Sequence, residues 1–398
     1  MRIRRKKRSF KPRKGEIMKI SVSCAAGCEL AVKRELRFLG YGDLPAIGGR
    51  ISFEGAEEDV CKCNLLLRAA NRVYIELACF KAETFDELFD GIKQIEWEKY
   101  ISEDGKIDVS AKCVESKLHA VSVTQSITKK AICERLSRVY KSELAENGER
   151  YKIEISVLRD MVTASLDTSG AGLHRRGYRA LVGEAPLKET LASAIIELSV
   201  WNPSRPCADP FCGSGTIAIE ACRYALGIPS GGNRDFDFLH WRKFDSGAFE
   251  PLKKQAFSAV KDLKLRVSAF DIDEKQLKLA AKHAELAGVA DFIHFQKADM
   301  RDFSSSHPYG VIITNPPYGE RLSDVKEVEK LLKDYGKMVR SLPEWSAYTI
   351  TPAKNFEKLF GKKADKKRKI YNGSIECCVY AELGNPPPKK EKGESANF

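Results

Sequence analysis

From residue 18 to 22 apolar and polar residues alternate one by one, the period of a strand with one buried face. From 25 to 39 the apolar residues switch to helical spacing, and Gly40 is placed to end that helix. The same two rhythms recur as a strand over 50–53 and a helix over 60–70. A second block predicts strand 73–79, helix 84–91, strand 106–112, helix 122–144 and strands 153–157 and 161–166. Its links, 102–105 and 146–149, are polar turn formers. Beyond residue 185 strands and helices alternate regularly: helix 187–198, strand 206–209, helix 216–225, strand 267–271, helix 274–287, strands 292–295 and 310–314, helix 326–341 and strand 347–351. That order predicts a mostly parallel sheet. Asn372-Gly373 is a hairpin signal between 369–371 and 376–382, so an antiparallel strand is expected at the sheet edge. Residues 226–249, with Gly231, Gly232 and Trp241 but little periodicity, read as an insertion.

At 398 residues the chain has room for two or three domains, which excludes a single small binding module. The net charge is +12, yet residues 1–14 hold nine Lys or Arg and no acid, leaving +3 for the rest. A solvated extension and a nucleic-acid-contacting arm both fit that tail. No apolar stretch follows it, so a secretory leader is not expected. No run of about eighteen apolar residues exists, so a soluble protein without membrane contact is expected. Twelve cysteines, among them Cys79, Cys113, Cys133 and Cys222, lie in apolar segments like small buried hydrophobes, which points to a reducing, cytoplasmic location. Cys24 with Cys28, Cys61 with Cys63, and Cys377 with Cys378 lack a repeated C-x-x-C or a His pair, so no metal is expected.

Candidate chemistry begins at Asp209-Pro-Phe-Cys-Gly-Ser-Gly-Thr216, where a strand ends and a helix begins. In an open α/β sheet ligands bind beyond the carboxyl ends of the strands. Gly213 and Gly215 let a backbone approach a ligand closely, and the helix start favours a carboxylate. Asp209 can accept from an ammonium, so an amino-acid-like cofactor fits better than a dinucleotide; a tight turn needing glycine for geometry alone is the bland alternative. Asp271 ends the next strand, placed for the two hydroxyls of a ribose, and Asp299 follows the third, placed for an adenine amino group. Singly, such acids are commonly helix caps.

The tetrapeptide Asn315-Pro-Pro-Tyr318 follows the apolar run 311–314. An exocyclic amino group on a base is a poor nucleophile because its lone pair is delocalised. The Asn315 side-chain oxygen and the Pro316 carbonyl can accept its two hydrogens and favour density on nitrogen. Tyr318 offers a face for an extruded base, a stacking interaction of ~1 to 3 kcal/mol. Adenine N6, cytosine N4 and guanine N2 all satisfy this chemistry. Ser116, Lys117 and His119 precede a helix with Lys129, Lys130, Arg135 and Arg138, a face that is either merely solvated or grips an RNA backbone.

These motifs resemble the class I S-adenosylmethionine-dependent amino-methyltransferases, and residues 18–384 resemble the THUMP-domain RNA guanine-N2 methyltransferases. The resemblance implies a ferredoxin-like region (17–70), a THUMP RNA-binding domain (71–165) and a seven-stranded Rossmann-like methyltransferase domain (166–384); the basic tail (1–16) departs from the family core and has no family role, and it and the Pro- and Lys-rich end (385–398) are expected from composition to be disordered. The overall class is α/β, with the α+β regions ahead of it. It further implies S-adenosyl-L-methionine as cofactor, held by Lys188, Asp209, Phe211, Cys212, Gly213, Ser214, Gly215, Thr216, Asp271, Ile272, Asp299, Met300 and Asn315. Asn315, Pro316 and Tyr318 are the implied catalytic set; Ser116, Lys117, Lys129, Lys130, Arg175, Arg176 and Arg179 are the implied RNA contacts. The implied substrate is guanine N2 in 23S ribosomal RNA, with transfer RNA the alternative and no obligate protein partner. A DNA adenine-N6 methyltransferase and a non-catalytic RNA-binding assembly factor stay open as readings of the residues alone.

Overall fold

The computed structural model describes residues 17–179, 187–318 and 322–388. The tail 1–16 and residues 180–186, 319–321 and 389–398 lie outside the described residues. Two compact units emerge. The first gathers the chain up to Cys24, Leu36–Leu173 and Ser230–Ser258; the second gathers Ala25–Glu35, His174–Pro229 and the chain from Ala259 onward.

The first unit is built on one sheet of seven strands: β1 (Met18–Cys24), β2 (Ala46–Ile47), β3 (Arg50–Gly55), β4 (Ala70–Lys81), β5 (Lys106–Val114), β6 (Arg150–Leu158) and β7 (Met161–Asp167), in the order β2-β3-β1-β4-β7-β6-β5. The pairs are antiparallel except β5 with β6. The two α+β blocks expected on either side of residue 70 therefore share a sheet. Their join is β4, twelve residues long, which pairs with β1 over its first half and with β7 from Tyr74 onward. Thr84 starts the helix Phe85–Gln94 through a capping box with Glu87. The helix Val121–Tyr140 stops short of the expected 144 because Lys141 takes a left-handed conformation, φ 57°.

Residues 230–258 pack within this first unit, although they lie inside the methyltransferase-like stretch of sequence. Trp241 stacks on Tyr151 with ring centroids 5.3 Å apart and donates from Nε1 to the Arg150 carbonyl at 2.9 Å. Arg242 pairs with Asp104 at 2.7 Å and Glu149 at 2.9 Å. Phe236, Phe238 and Phe249 form an aromatic cluster. Periodicity missed the helix Phe249–Ser258, whose only buried residue is Phe249.

The second unit holds β8 (Cys207–Asp209), β9 (Val267–Asp271), β10 (Ile293–Lys297), β11 (Val311–Thr314), β12 (Ser346–Thr351), β13 (Lys366–Asn372) and β14 (Ile375–Glu382), in the order β10-β9-β8-β11-β12-β14-β13. It is parallel from β10 to β12, with helices Thr216–Leu226, Glu274–Leu286 and Leu322–Arg340 as crossovers. The antiparallel strand β14 lies between β12 and β13, one place inward of the expected edge. Burial explains the order. Cys377, Val379, Tyr380 and Ala381 of β14 are buried, whereas Lys366, Lys367 and Lys369 of β13 are exposed, and lysines on an edge strand deter further pairing. Among the described residues no helix is long and apolar enough to cross a membrane. The cysteines divide: Cys222 is buried, but Cys79 is exposed, on the part of β4 beyond the reach of β1.

Candidate active site

The sheet order reverses at β8, which has β9 on one side and β11 on the other. Such a switch point opens a crevice at the carboxyl ends of the strands. The four strands β10-β9-β8-β11 carry in that order Asp299, Asp271, Asp209 and Asn315 at or just after their carboxyl ends. Positions over a hundred residues apart are thus brought into a row, at about 4.8 Å per strand.

Asp209 is almost fully buried, and its Oδ1 accepts from Thr314 Oγ1 at 2.6 Å and from the Phe211 amide at 3.2 Å. These donors are neutral. Burial pushes its carboxyl up to about 7, opposed by those hydrogen bonds and reinforced by the nearby Asp271. A ligand cation would supply the positive charge that the fold withholds. The loop then turns through Gly213 (φ 50°) and Gly215 (φ 82°) into the helix starting at Thr216. An added Cβ at Gly213 would meet open space, while one at Gly215 would lie 3.0 Å from Ala280 Cβ. Gly215 therefore serves conformation and helix packing, and Gly213 leaves room for a ligand. Asp271 accepts from the Gly213 amide at 2.9 Å through Oδ2, and from the Asp273 amide at 2.9 Å through Oδ1, tying the second strand end to the loop.

The other expected loop residues divide. Cys212 and Thr216 are buried, Ser214 is half-buried with its carbonyl 3.2 Å from His283 Nδ1, and Ile272 is 69% exposed. The Phe211 ring packs edge-on to Tyr335 at 5.7 Å. Met300 is buried in the core with Ile312, Leu332 and Trp345, so its side chain is a packing element. Asp299 caps the turn Met300–Asp302: Oδ1 accepts from the Arg301 amide at 2.9 Å and Oδ2 from Arg301 Nη1 at 2.7 Å. Lys188 is exposed at the boundary of the helix Glu189–Leu198.

Asn315 is half-buried, Pro316 buried and Tyr318 half-buried. The Tyr318 hydroxyl donates to Asn315 Oδ1 at 2.6 Å and lies 3.9 Å from Cys377 Sγ. Burial raises the Tyr318 phenol, so it stays a protonated donor. A carboxamide oxygen accepts two hydrogen bonds, so the second lone pair of Oδ1 can still receive an amino hydrogen. Reading the sequence missed Thr314, the polar end of an apolar strand. Its side chain joins the acid of the glycine loop to the residue preceding Asn315.

The expected RNA contacts fare unevenly. Arg176 is 2% exposed, and its guanidinium lies 3.6 Å from Glu220, a core ion pair that Tyr178 and Ser193 complete by donating to the same carboxylate; it presents no surface to RNA. Arg179 pairs with the buried Glu189 at 3.2 Å, while Arg175 is exposed. In the first unit Arg135 is held by Glu98 at 2.6 and 2.8 Å and by two helix carbonyls, a structural tether. Ser116 Oγ and the Lys117 amide both donate to Asp160 at 2.8 Å, fixing a turn, and the Lys117 side chain pairs with Glu83. Lys129 pairs with Glu146 at 2.8 Å, and Lys130 is exposed, 4.0 Å from Glu134.

Residues 176–381 match the RMKL-like methyltransferase domain, residues 19–74 the RlmL ferredoxin-like domain and residues 82–167 the THUMP domain. The chain is 43% identical to YpsC of Bacillus subtilis (strain 168), provisionally described as an RNA methyltransferase, over 93% of this chain and 97% of that protein. It is 31% identical to the ribosomal RNA large subunit methyltransferase K/L of Syntrophotalea carbinolica over 90% of this chain; it spans about half, 53%, of that longer protein. The structure of SMU.472, provisionally described as a methyltransferase and solved in complex with SAH, superposes with a TM-score of 0.87 at 41% identity, covering 94% of this chain and 99% of the other. The chain belongs to the RMKL-like methyltransferase family, with ferredoxin-like and THUMP domains preceding its catalytic domain.

Proposed function

We propose that this protein transfers a methyl group from S-adenosyl-L-methionine to the exocyclic N2 of a guanine in RNA, with 23S ribosomal RNA as substrate. The hydrogen bond from Thr314 to Asp209 carries the reading, because it puts the acid suited to the cofactor's ammonium beside the strand end that bears Asn315. The residues present fit the cofactor. Asp209 is a buried acid without a cationic partner among its named donors, Gly213 faces open space, and the helix from Thr216 offers unpaired N–H groups to a carboxylate. Asp271 would take the ribose, and Asp299 the adenine amino group if Arg301 shares its carboxylate.

The bound cofactor supplies an electrophilic methyl on a sulfonium. For their part, Asn315 Oδ1 and the Pro316 carbonyl hold the amino hydrogens of the target base, favouring density on nitrogen as the new N–C bond forms and the S–C bond breaks. The spare proton leaves to solvent. The Tyr318 hydroxyl orients the Asn315 amide, and its ring supports the extruded base. The THUMP match and the names of the relatives favour RNA over DNA; ribosomal over transfer RNA rests on the K/L relative.

The test is methyl transfer from labelled S-adenosylmethionine to undermodified large-subunit ribosomal RNA, transfer RNA and plasmid DNA, followed by nucleoside mass spectrometry. N2-methylguanosine in the ribosomal RNA, lost in Asn315→Ala while S-adenosylhomocysteine still binds, is expected. Methyladenine in DNA with none in RNA would sink the proposal.

A further inference from the structure

We propose that the lysine-rich edge of the methyltransferase unit, strand β13 with the segment leading into it (residues 354–376), is a docking track for the ribose-phosphate backbone of the RNA that bears the target base. The inference rests on reading this unit as an RNA methyltransferase.

Charge is the first observation. Residues 354–376 contain eight Lys and Arg against three acids, a net +5, whereas residues 15–398 as a whole total +3. With residues 354–376 set aside, the remainder of residues 15–398 carries +3 minus 5, or −2. The excess positive charge is therefore local, and it includes Lys354, Lys358, Lys362 and Lys363, which lie ahead of the edge strand and so are not needed to deter strand pairing.

Position is the second. β13 runs parallel to β12, so its carboxyl end reaches the same rim as the ends of β8 and β11. Its partner strand places Ile370 opposite Cys377, and Cys377 Sγ lies 3.9 Å from the Tyr318 hydroxyl. Asn372, the last residue of β13, interacts with that same hydroxyl. The cationic strand thus leads directly to the side chains proposed to hold the extruded base, and a flipped nucleotide needs its backbone gripped beside the pocket.

The third observation is how loosely the cations are held. Lys367 pairs with Glu357 at 2.8 Å, Lys369 with Glu376 at 2.7 Å and Lys362 with Asp365 at 3.6 Å, all with lysine side chains at least 44% exposed. Exposed pairs contribute only about 0 to 1 kcal/mol, so exchanging a carboxylate for a phosphate is easy. Lys363 and Lys366 are exposed and have no ion pair among the described residues. Tyr371, with the Lys369 ammonium 5.5 Å from its ring centroid, adds an aromatic face for a neighbouring base. Arg368 is different: it donates to the Gly27 carbonyl at 3.2 Å and serves structure.

The experiment compares the full-length protein with Lys363→Gln/Lys366→Gln/Lys369→Gln, measuring affinity for a short single-stranded RNA and for transcribed large-subunit ribosomal RNA at several salt concentrations. Lys253→Gln/Lys254→Gln, on the helix Phe249–Ser258, is the control for charge removed elsewhere. The triple variant should lose at least about tenfold in RNA affinity at low salt, and its plot of log affinity against log salt should flatten by about 2, because each single-strand phosphate contact contributes ~0.7. S-adenosylhomocysteine affinity should not change, which verifies the fold. Unchanged RNA affinity and slope, or an equal loss in the control, overturns the track. Single Lys366→Glu, which adds repulsion with minimal perturbation, must agree in direction. Methyl transfer by the wild type is read separately: its presence with an unaltered slope defeats the track alone, and its absence with a flattened slope defeats the proposed reaction alone.

Discussion

Two buried carboxylates, one in each unit, have opposite surroundings. Glu154 in the first unit meets the guanidinium of Arg50, the ammonium of Lys112 at 3.3 Å and the hydroxyl of Tyr74 at 3.1 Å, and these hold its carboxyl below the usual range in spite of burial. Asp209 in the second unit meets only a hydroxyl and an amide, and burial pushes it up to about 7. A structural acid is folded together with its counter-ion. Asp209 is folded without one, so a cation at this acid, as proposed for the cofactor's ammonium, would stabilise a carboxylate that is costly to bury alone.

The largest expected effect tests the structural side. Arg50→Ala should destabilise the first unit by about 3 kcal/mol, because it leaves Glu154 buried with only the exposed Lys112 as cation. Denaturant unfolding followed by Trp97 and Trp241 fluorescence would measure it, and a loss no larger than that of Arg159→Ala, an exposed ion-pair partner, would contradict the comparison.

Asp209→Asn should behave in the reverse way. Unfolding stability should hold or improve at neutral pH, while S-adenosylhomocysteine affinity by calorimetry should fall about 30-fold, or ~2 kcal/mol, the value of a charge-assisted hydrogen bond. Loss of stability with affinity retained would show that Asp209 is structural.

The pH dependence sharpens the same point. The free protein's Asp209 carboxyl is raised, so its protonated form adds stability that is full below about 4 and lost as pH rises toward 7. An ammonium binds the ionised form, so cofactor affinity should weaken by up to about tenfold per unit as pH falls below 7, and Asp209→Asn should abolish that slope. A flat profile in the wild type would be incompatible with a cation at this acid.

Glu382 offers the smallest test. It is 3% exposed at the end of β14, neither carboxylate oxygen has a hydrogen-bond partner among the described residues, and burial pushes it up to about 8. Its raised value means that stability is lost as pH climbs from about 4.5 to 8. Glu382→Gln should therefore gain on the order of 1 kcal/mol relative to wild type between pH 5 and 8, limited because the amide also lacks partners. Melting curves showing no relative gain would assign Glu382 a partner that the fold does not display.

Much of this architecture was legible in advance because it is written locally. Alternation over 18–22, helical spacing over 274–287 and Asn372-Gly373 each specify their element within a few residues, and β1, the helix Glu274–Leu286 and the β13–β14 hairpin follow. The glycine loop and Asn315-Pro-Pro-Tyr318 were visible for the same reason. What failed depended on distant partners. Arg176 has the composition of a surface cation, and only the buried Glu220, 44 positions away, makes it a core residue. Residues 230–258 look unpatterned because their aromatic side chains answer to strands contributed nearly a hundred positions earlier.

By itself the sequence determined the strand-and-helix alternation, the glycine loop, the Asn315-Pro-Pro-Tyr318 tetrapeptide and the basic first segment, because each depends on neighbours along the chain. Only tertiary structure decided the strand order that brings Asp299, Asp271, Asp209 and Asn315 to one rim, the inward place of β14, and the Thr314 hydrogen bond to Asp209 across 105 positions. Such pairings are set by which apolar faces bury together, a property of the whole packed sheet that no local pattern encodes.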